Sequence, residues 1–165
     1  MAKVKINLRD IQKLLSEVPA KAALTSNRKI AQLAREKILD LVSKGISPIE
    51  GNGRFEAYKP KSKTKRTYPE TVKRSYPNKR RRPVNLKLSG RFLRELFSRA
   101  TSPNVIEIGF DSGSYGEKLE DGHRNDERQG YRPILPTDPR ESFTKAIRAA
   151  ILKEYREAIQ RYLKR

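Results

Sequence analysis

The residues best suited to chemistry cluster between positions 117 and 127: Glu117, Glu120, Asp121, His123, Asp126 and Glu127. Carboxylates and an imidazole converging on a hard divalent cation would make a hydrolytic metal centre of the nuclease kind. Against that reading, Arg124 and Arg128 interleave with the acids, and His123 is the only histidine in the chain. No rigid strand frames the segment. The simpler expectation is a solvated loop or an intersubunit salt-bridge surface, with no metal, no cofactor and no catalytic residue. Other catalytic patterns are missing too. Gly51-Asn52-Gly53 lacks the Lys and Ser/Thr that follow the glycines of a phosphate-cradling loop, and reads as a turn. Ser89-Gly90 precedes a helix instead of following a buried strand, so it is not a nucleophile elbow.

The strongest chemical feature is cationic. Between Lys59 and Arg82 stand eleven basic residues: Lys59, Lys61, Lys63, Lys65, Arg66, Lys73, Arg74, Lys79, Arg80, Arg81 and Arg82. Glu70 is the single acid among them, and Tyr58, Tyr68 and Tyr76 are interleaved. Lysine and arginine neutralise phosphates, and tyrosines can stack on bases or pack on protein. Proximity to phosphate or docking on an acidic neighbour is the favoured reading over simple solvation. Sequence-specific readout is not expected, because no helix-turn-helix, zinc finger or RNA-binding aromatic signature is present.

Composition agrees. The chain has 165 residues, a length that suits one domain with a modest core. Lys plus Arg is 38 and Asp plus Glu is 19, a formal net charge of +19. A field of that sign speeds encounter with polyanions and says nothing about fold. With no cysteine, disulfides, zinc fingers and thiol catalysis are excluded. No apolar run approaches the roughly 20 residues that span a bilayer, and Met1–Asp10 lacks the apolar core of a signal peptide. The expected setting is a cytoplasm, or a particle assembled in one, with no membrane.

These groups must be positioned by helices and a thin sheet. Leu8, Ile11, Leu14, Leu15 and Val18 have helical spacing up to Pro19. A long helix is expected from about Ala20 to Lys44, with Ile30, Leu33, Ala34, Ile38, Leu41 and Val42 as its apolar stripe and Gly45 as its C-terminal cap. From Ile46 to Asn85 prolines, glycines and like charges predict an extended or mobile arm, with Phe55 and Tyr58 as candidates for a short strand. Ser89 is placed to cap a short helix carrying Phe92, Leu93, Leu96 and Phe97. Asn104–Phe110 is the clearest strand, with Ile106, Ile108 and Phe110 on one face. Asp111–Ser114 reads as a turn, Tyr115–Asp121 as a short helical turn closed by Gly122, and His123–Gly130 as exposed. Tyr131–Pro136 reads as extended. Asp138, Pro139 and Glu141 form a capping box for a final helix lined by Phe143, Ile147, Ile151, Tyr155, Ala158, Ile159 and Tyr162. The expected fold is α+β: one domain over 1–165, in which long N-terminal and C-terminal helices pack on a small antiparallel sheet, with a basic Pro-rich arm at about 46–85.

Three segments, taken in order, resemble the tail-completion (head-to-tail joining, minor tail, virion morphogenesis) proteins of tailed bacteriophages. A long helix is followed by Gly51–Lys65, a Gly-containing stretch with an aromatic and basic residues. Pro83–Leu96 is similar to the family's Leu, small, Ser/Thr-Gly, Arg-x-Leu entry into a helix. Val105–Pro136 has a strand ending in Ile108-Gly109, then Tyr115-Gly116, Glu120-Asp121-Gly122 and Arg132-Pro133-Ile134-Leu135-Pro136. The family often carries Ala at the position of Gly116 and Phe at those of Asp121 and Ile134. The resemblance implies a non-enzymatic structural protein of the virion neck, made in the bacterial host cytoplasm. It further implies a homo-oligomeric ring of about six copies between the head connector or adaptor and the tail terminator or tube, beside the DNA channel. Tyr115, Leu119, Glu120, Arg132, Pro133, Ile134 and Leu135 are the expected intersubunit interface. A strong positive lining would hold DNA rather than let it slide, so the arm is expected to dock on protein. The alternative is a nonspecific nucleic-acid-binding protein that uses the same arm.

Overall fold

The computed structural model describes residues 3–7, 20–60, 63–79, 82–86, 89–102, 105–125 and 131–164. The expected long helix forms over Ala20–Ser43 (α1). Ile30, Ala34, Ile38 and Val42 are fully buried on its inner face, and Ala31 is nearly so. It ends as a glycine-capped helix should. Gly45 takes φ +73°, its N–H donates to the Val42 carbonyl at 3.0 Å, and the Ile46 N–H reaches back to Leu41 at 2.9 Å. A β-carbon at position 45 would lie 2.6 Å from that of Pro83, so glycine also lets the returning arm pass close. The helix expected over Leu8–Val18 falls outside the described residues.

The sheet is antiparallel and three-stranded, in the order β1-β3-β2. Its strands are Lys3–Asn7 (β1), Phe97–Ser102 (β2) and Val105–Gly109 (β3). The middle strand is the one whose β-branched alternation marked it in sequence. It pairs Ile108 with Val4 on one side and Ile106 with Ala100 on the other, with an irregularity between Ala100 and Ser102. Ile106, Ile108 and Phe110 are fully buried. On the opposite face Glu107 meets its cross-strand neighbour Arg99 at 2.6 Å, the pairing a sheet uses to steady two strands.

A short helix, Arg91–Arg94 (α3), follows Gly90; it stops earlier than its spacing implies, because Phe97 enters β2 instead. Tyr115–Asn125 (α4) is a full helix. It is longer than the expected turn, and Gly122 lies inside it rather than closing it. The last helix, Lys145–Leu163 (α5), starts later than the expected cap at Asp138. Asp138–Glu141 forms a turn of its own, and the α5 N-terminus is capped by Glu50, whose carboxylate accepts the Lys145 N–H at 2.8 Å and a contact from Arg148 at 3.3 Å. α1 packs across β2 and β3 and against α5. Ile147, Ile151 and Tyr155 close the core from the α5 side, each such burial contributing roughly 1.5–3 kcal/mol. This is the expected α+β layering of two long helices on a small antiparallel sheet.

Candidate functional site

The basic arm has little regular structure, as its prolines and charge imply, yet it is pinned to the domain along its length. At its start Ile46 bridges Arg54 and Ile49 bridges Phe143, and the Phe55 N–H donates to the Gly45 carbonyl at 2.9 Å. Phe55 and Tyr58, expected in a strand, instead insert their side chains into the core from irregular backbone. A one-turn helix, Tyr68–Val72 (α2), interrupts the arm. Glu70, the single acid between Lys59 and Arg82, turns back to cap it, accepting the Thr67 N–H at 2.5 Å and the Thr67 hydroxyl at 2.7 Å. At the far end Val84 and Leu86 return to the core.

The deepest pin is an aromatic–cation stack. Arg132 is 1% exposed, and its guanidinium lies 4.4 Å from the centre of the Tyr58 ring. Its Nε and Nη2 donate to the Glu56 carbonyl at 3.2 and 3.0 Å. The Lys79 ammonium sits 5.1 Å from the same ring and 6.0 Å from that of Tyr68, and the two tyrosines pack with centroids 5.6 Å apart. Burial, and then the like charge of Arg132, lower the Lys79 pKa to about 8. Burial pushes the Tyr58 hydroxyl up to about 12. So one cation of the arm and one residue of the expected interface meet on a single ring.

The remaining described cations face outward. Lys59, Lys63, Lys65, Arg66, Lys73, Arg74 and Arg82 are exposed. Lys59 lies 3.7 Å from the Glu56 carboxylate; the other six make no ion pair among the described residues. Lys61, Arg80 and Arg81 fall outside the described residues.

The expected intersubunit surface needs correction. Glu120, Arg132, Pro133, Ile134 and Leu135 are buried within the subunit, and Tyr115 and Leu119 are half-buried against its core. The reason is local chemistry. The Glu120 carboxylate accepts the N–H groups of Ile134 and Leu135 at 2.8 and 2.9 Å, which fastens an extended segment to α4 and turns its two apolar side chains inward. Burial raises the Glu120 pKa to about 7, against the pull of those two hydrogen bonds. Arg124 holds the same segment from outside, pairing with Glu141 at 3.0 Å and donating to the Leu135 carbonyl; Tyr131 also donates to Glu141.

The acidic cluster is therefore dispersed. Glu117 accepts the Gly113 N–H at 2.7 Å, beside the start of α4. Glu120 faces the core, Asp121 faces solvent, and His123 stands edge-on to Phe92 at 5.1 Å. Asp126 and Glu127 fall outside the described residues, and those described hold no group of three ligands suited to a metal. One structural residue was missed in sequence: Glu50 gave no local signal, since the helix it caps lies 95 residues away. Arg132 was expected at an intersubunit contact, but the segment that follows it, Pro133 to Pro136, is buried and the arginine's charge is satisfied within the subunit.

Comparisons with protein-family models, with curated proteins and with solved structures each returned no match to this chain.

Proposed function

We propose that the chain is a non-enzymatic structural subunit of a tailed-phage neck, a tail-completion protein that joins the head connector to the tail. In this reading it acts as a homo-oligomeric ring of about six copies, carried in the virion, with the head adaptor and the tail terminator or tube as neighbours. One observation carries the reading most. Of the cluster best suited to catalysis, Glu117 and Glu120 are bound to the subunit's own backbone and Asp121 faces solvent, while a pinned arm turns outward six cations with no ion pair among the described residues. That division suits a scaffold that docks on a polyanionic neighbour better than a catalyst. The ordered resemblance around Ser89-Gly90, Ile108-Gly109 and Arg132-Pro133 supplies the particular assembly.

In this reading the ring contact uses surface other than these buried residues. Among the described residues β1 and β2 are the outer strands of the sheet, and edge strands are natural places for a second copy to join. The test is a density map of intact particles together with a deletion of the gene. The expected result is a ring of this chain at the neck and, on deletion, heads and tails that accumulate unjoined. Particles that join normally without the chain defeat the proposal.

A further inference from the structure

We propose that the outer surface of the arm, carrying Lys63, Lys65, Arg66, Lys73, Arg74 and Arg82, binds the phosphate backbone of duplex DNA without sequence preference. This deepens the neck reading by naming the arm's partner, and it replaces the protein-docking arm expected from the sequence.

Three observations favour DNA over an acidic protein or a single strand. First, the six cations are exposed and make no ion pair among the described residues, and Glu70, the single acid between Lys59 and Arg82, is turned to the α2 cap. Second, the arm offers no apolar anchor. Among the described residues, the large hydrophobic side chains that stand exposed are Tyr131 and Leu152, both outside the arm. A protein interface draws most of its energy from aromatic or aliphatic anchors seated in pockets, whereas backbone contacts to DNA need only well-placed cations. Third, two of the arm's three tyrosines are spent, which leaves the half-exposed Tyr76 as a lone ring and not a stacking platform. Tyr58 is buried, Tyr68 packs against it, and Lys79 covers both rings. A single-strand platform needs open aromatic faces.

The pinning also matters. A free arm would lose conformational entropy on binding, whereas this one is already held at Ile49, Tyr58 and Val84. Contacts confined to phosphates let a protein slide along a duplex, so a cationic surface beside a channel does not by itself arrest the DNA.

The test uses the purified full-length chain and a fluorescently labelled 30-base-pair duplex, with anisotropy read over a potassium chloride series. One variant combines Lys63→Gln, Lys65→Gln, Arg66→Gln, Lys73→Gln and Arg74→Gln. A control removes the same charge from exposed positions elsewhere: Lys29→Gln, Lys37→Gln, Lys118→Gln, Arg156→Gln and Lys164→Gln. Every substituted side chain is exposed, and thermal melts confirm that both variants are folded. The arm variant is expected to flatten the slope of log affinity against log salt by about 0.9 per lost phosphate contact, approaching 4 to 5 in all. The control is expected to change the slope by less than about 1. Equal effects of the two variants would mean that net charge alone attracts DNA, and the proposal falls. It also falls if the wild-type chain prefers a polyglutamate peptide, or if it binds a single strand more tightly than the duplex. None of these readings depends on ring formation or on particles. A chain that binds duplex DNA through its arm yet is absent from virions overturns the neck reading alone, and a neck ring whose subunits ignore DNA overturns this one alone.

Discussion

Glu120 and Leu135, 15 residues apart, are joined by a 2.9 Å hydrogen bond in which the Leu135 N–H donates to a carboxylate sealed from solvent. The same oxygen accepts from Ile134 at 2.8 Å. Its companion Oε2 is buried and has no hydrogen-bond partner among the described residues. Proteins seldom leave a charged oxygen in that position. The arrangement favours the protonated acid, which keeps one acceptor for the two amides without placing a full negative charge in the core.

The first prediction is therefore a pH dependence. Glu120 has a folded pKa of about 7 against an ordinary value of 4.5, so the native state holds this proton more tightly than the unfolded state. Its contribution to stability is complete below about pH 4.5 and declines as the pH rises towards 7. It is then level above that, a loss of roughly 3 kcal/mol. Glu120→Gln imitates the protonated acid and should flatten this decline, with little change at pH 4.5. Asp138, held down to about 2 by its hydrogen bonds to Arg140, works in the opposite sense at lower pH and keeps the acid limb in both proteins. Urea melts from pH 4 to 8 measure the effect; an equal decline in wild type and Glu120→Gln rejects the assignment.

Lys79 makes a second, opposite case. Its pKa is lowered to about 8 by burial and by Arg132. Below pH 8 the amine is charged in both folded and unfolded chains, and the folded state carries the whole cost. That cost fades as the pH rises from 8 to 10.5, so stability climbs through that window. Lys79→Met keeps an unbranched stem against Tyr58 and removes the charge. It gives up a cation–π contact worth roughly 0.5–1 kcal/mol, and a net gain of about 1 kcal/mol is expected at pH 7. The gain should disappear near pH 10.5. A net loss of stability at pH 7 would show that Lys79 holds the arm through its charge and not in spite of it.

The parts of the fold that could be read from sequence are those decided by local pattern. The α1 stripe from Ile30 to Val42 and its Gly45 cap needed only helical spacing and one glycine. Val105–Gly109 needed only β-branched alternation. What escaped was decided by distant partners. Phe97 continues the helical spacing of Phe92, Leu93 and Leu96, and only its pairing with Gly109 draws it into β2. Val4 and Ile6 alternate with lysines in β1, but the helical spacing that follows from Leu8 obscured so short a strand. Asp138, Pro139 and Glu141 have the right types for a cap, and Glu141 does accept the Asp138 N–H at 3.4 Å beside Arg124 and Tyr131, but they close a turn of their own and the helix begins at Lys145. At the candidate site the cations were countable, but not which of them Tyr58 and Tyr68 draw inward. The interface expected over Tyr115, Leu119, Glu120 and Arg132–Leu135 came from the resemblance; two backbone amides on Glu120 and one carbonyl on Arg132 fasten much of that segment inside the subunit instead.

Gly116 offers a third prediction. A β-carbon there would fall 2.3 Å from Cδ1 and 2.7 Å from Cε1 of Phe110, whose ring is stacked on Phe92 at 5.2 Å. Both rings are buried, so neither can swing away freely. Gly116→Ala should cost roughly 1–3 kcal/mol by overpacking, although alanine is intrinsically the better helix former. Replacing Phe110 with Leu should relieve the contact, so that the double variant is more stable than the two separate losses predict. A double-mutant cycle measures this coupling. Strict additivity would mean that the ring and the glycine do not share space, and that Ala at this position is compatible with Phe110.

The last prediction concerns how the two long helices are tied together. Tyr155 of α5 is 1% exposed and Asn27 of α1 fully buried; the tyrosine hydroxyl donates to the Asn27 side-chain oxygen. The Asn27 amide donates onward to the Ser102 carbonyl at 3.1 Å. One polar chain thus crosses the apolar layer and links α5, α1 and the end of β2. Tyr155→Phe removes the donor and leaves one buried oxygen short of a partner, a cost of about 1–2 kcal/mol. Asn27→Leu fills the space but strands the tyrosine hydroxyl and removes the link to the sheet, so its cost should be larger, about 2–4 kcal/mol. With both replaced, no hydroxyl remains to be stranded, and the pair should be less destabilised than the sum of the single changes. Denaturant melts of the four proteins give this coupling, and hydrogen exchange at β2 supplies an independent readout: Asn27→Leu should speed exchange near Ser102, while Tyr155→Phe should not. If Tyr155→Phe costs as much as Asn27→Leu, the onward link to Ser102 adds nothing, and the helices are held by apolar packing with the hydroxyl merely accommodated.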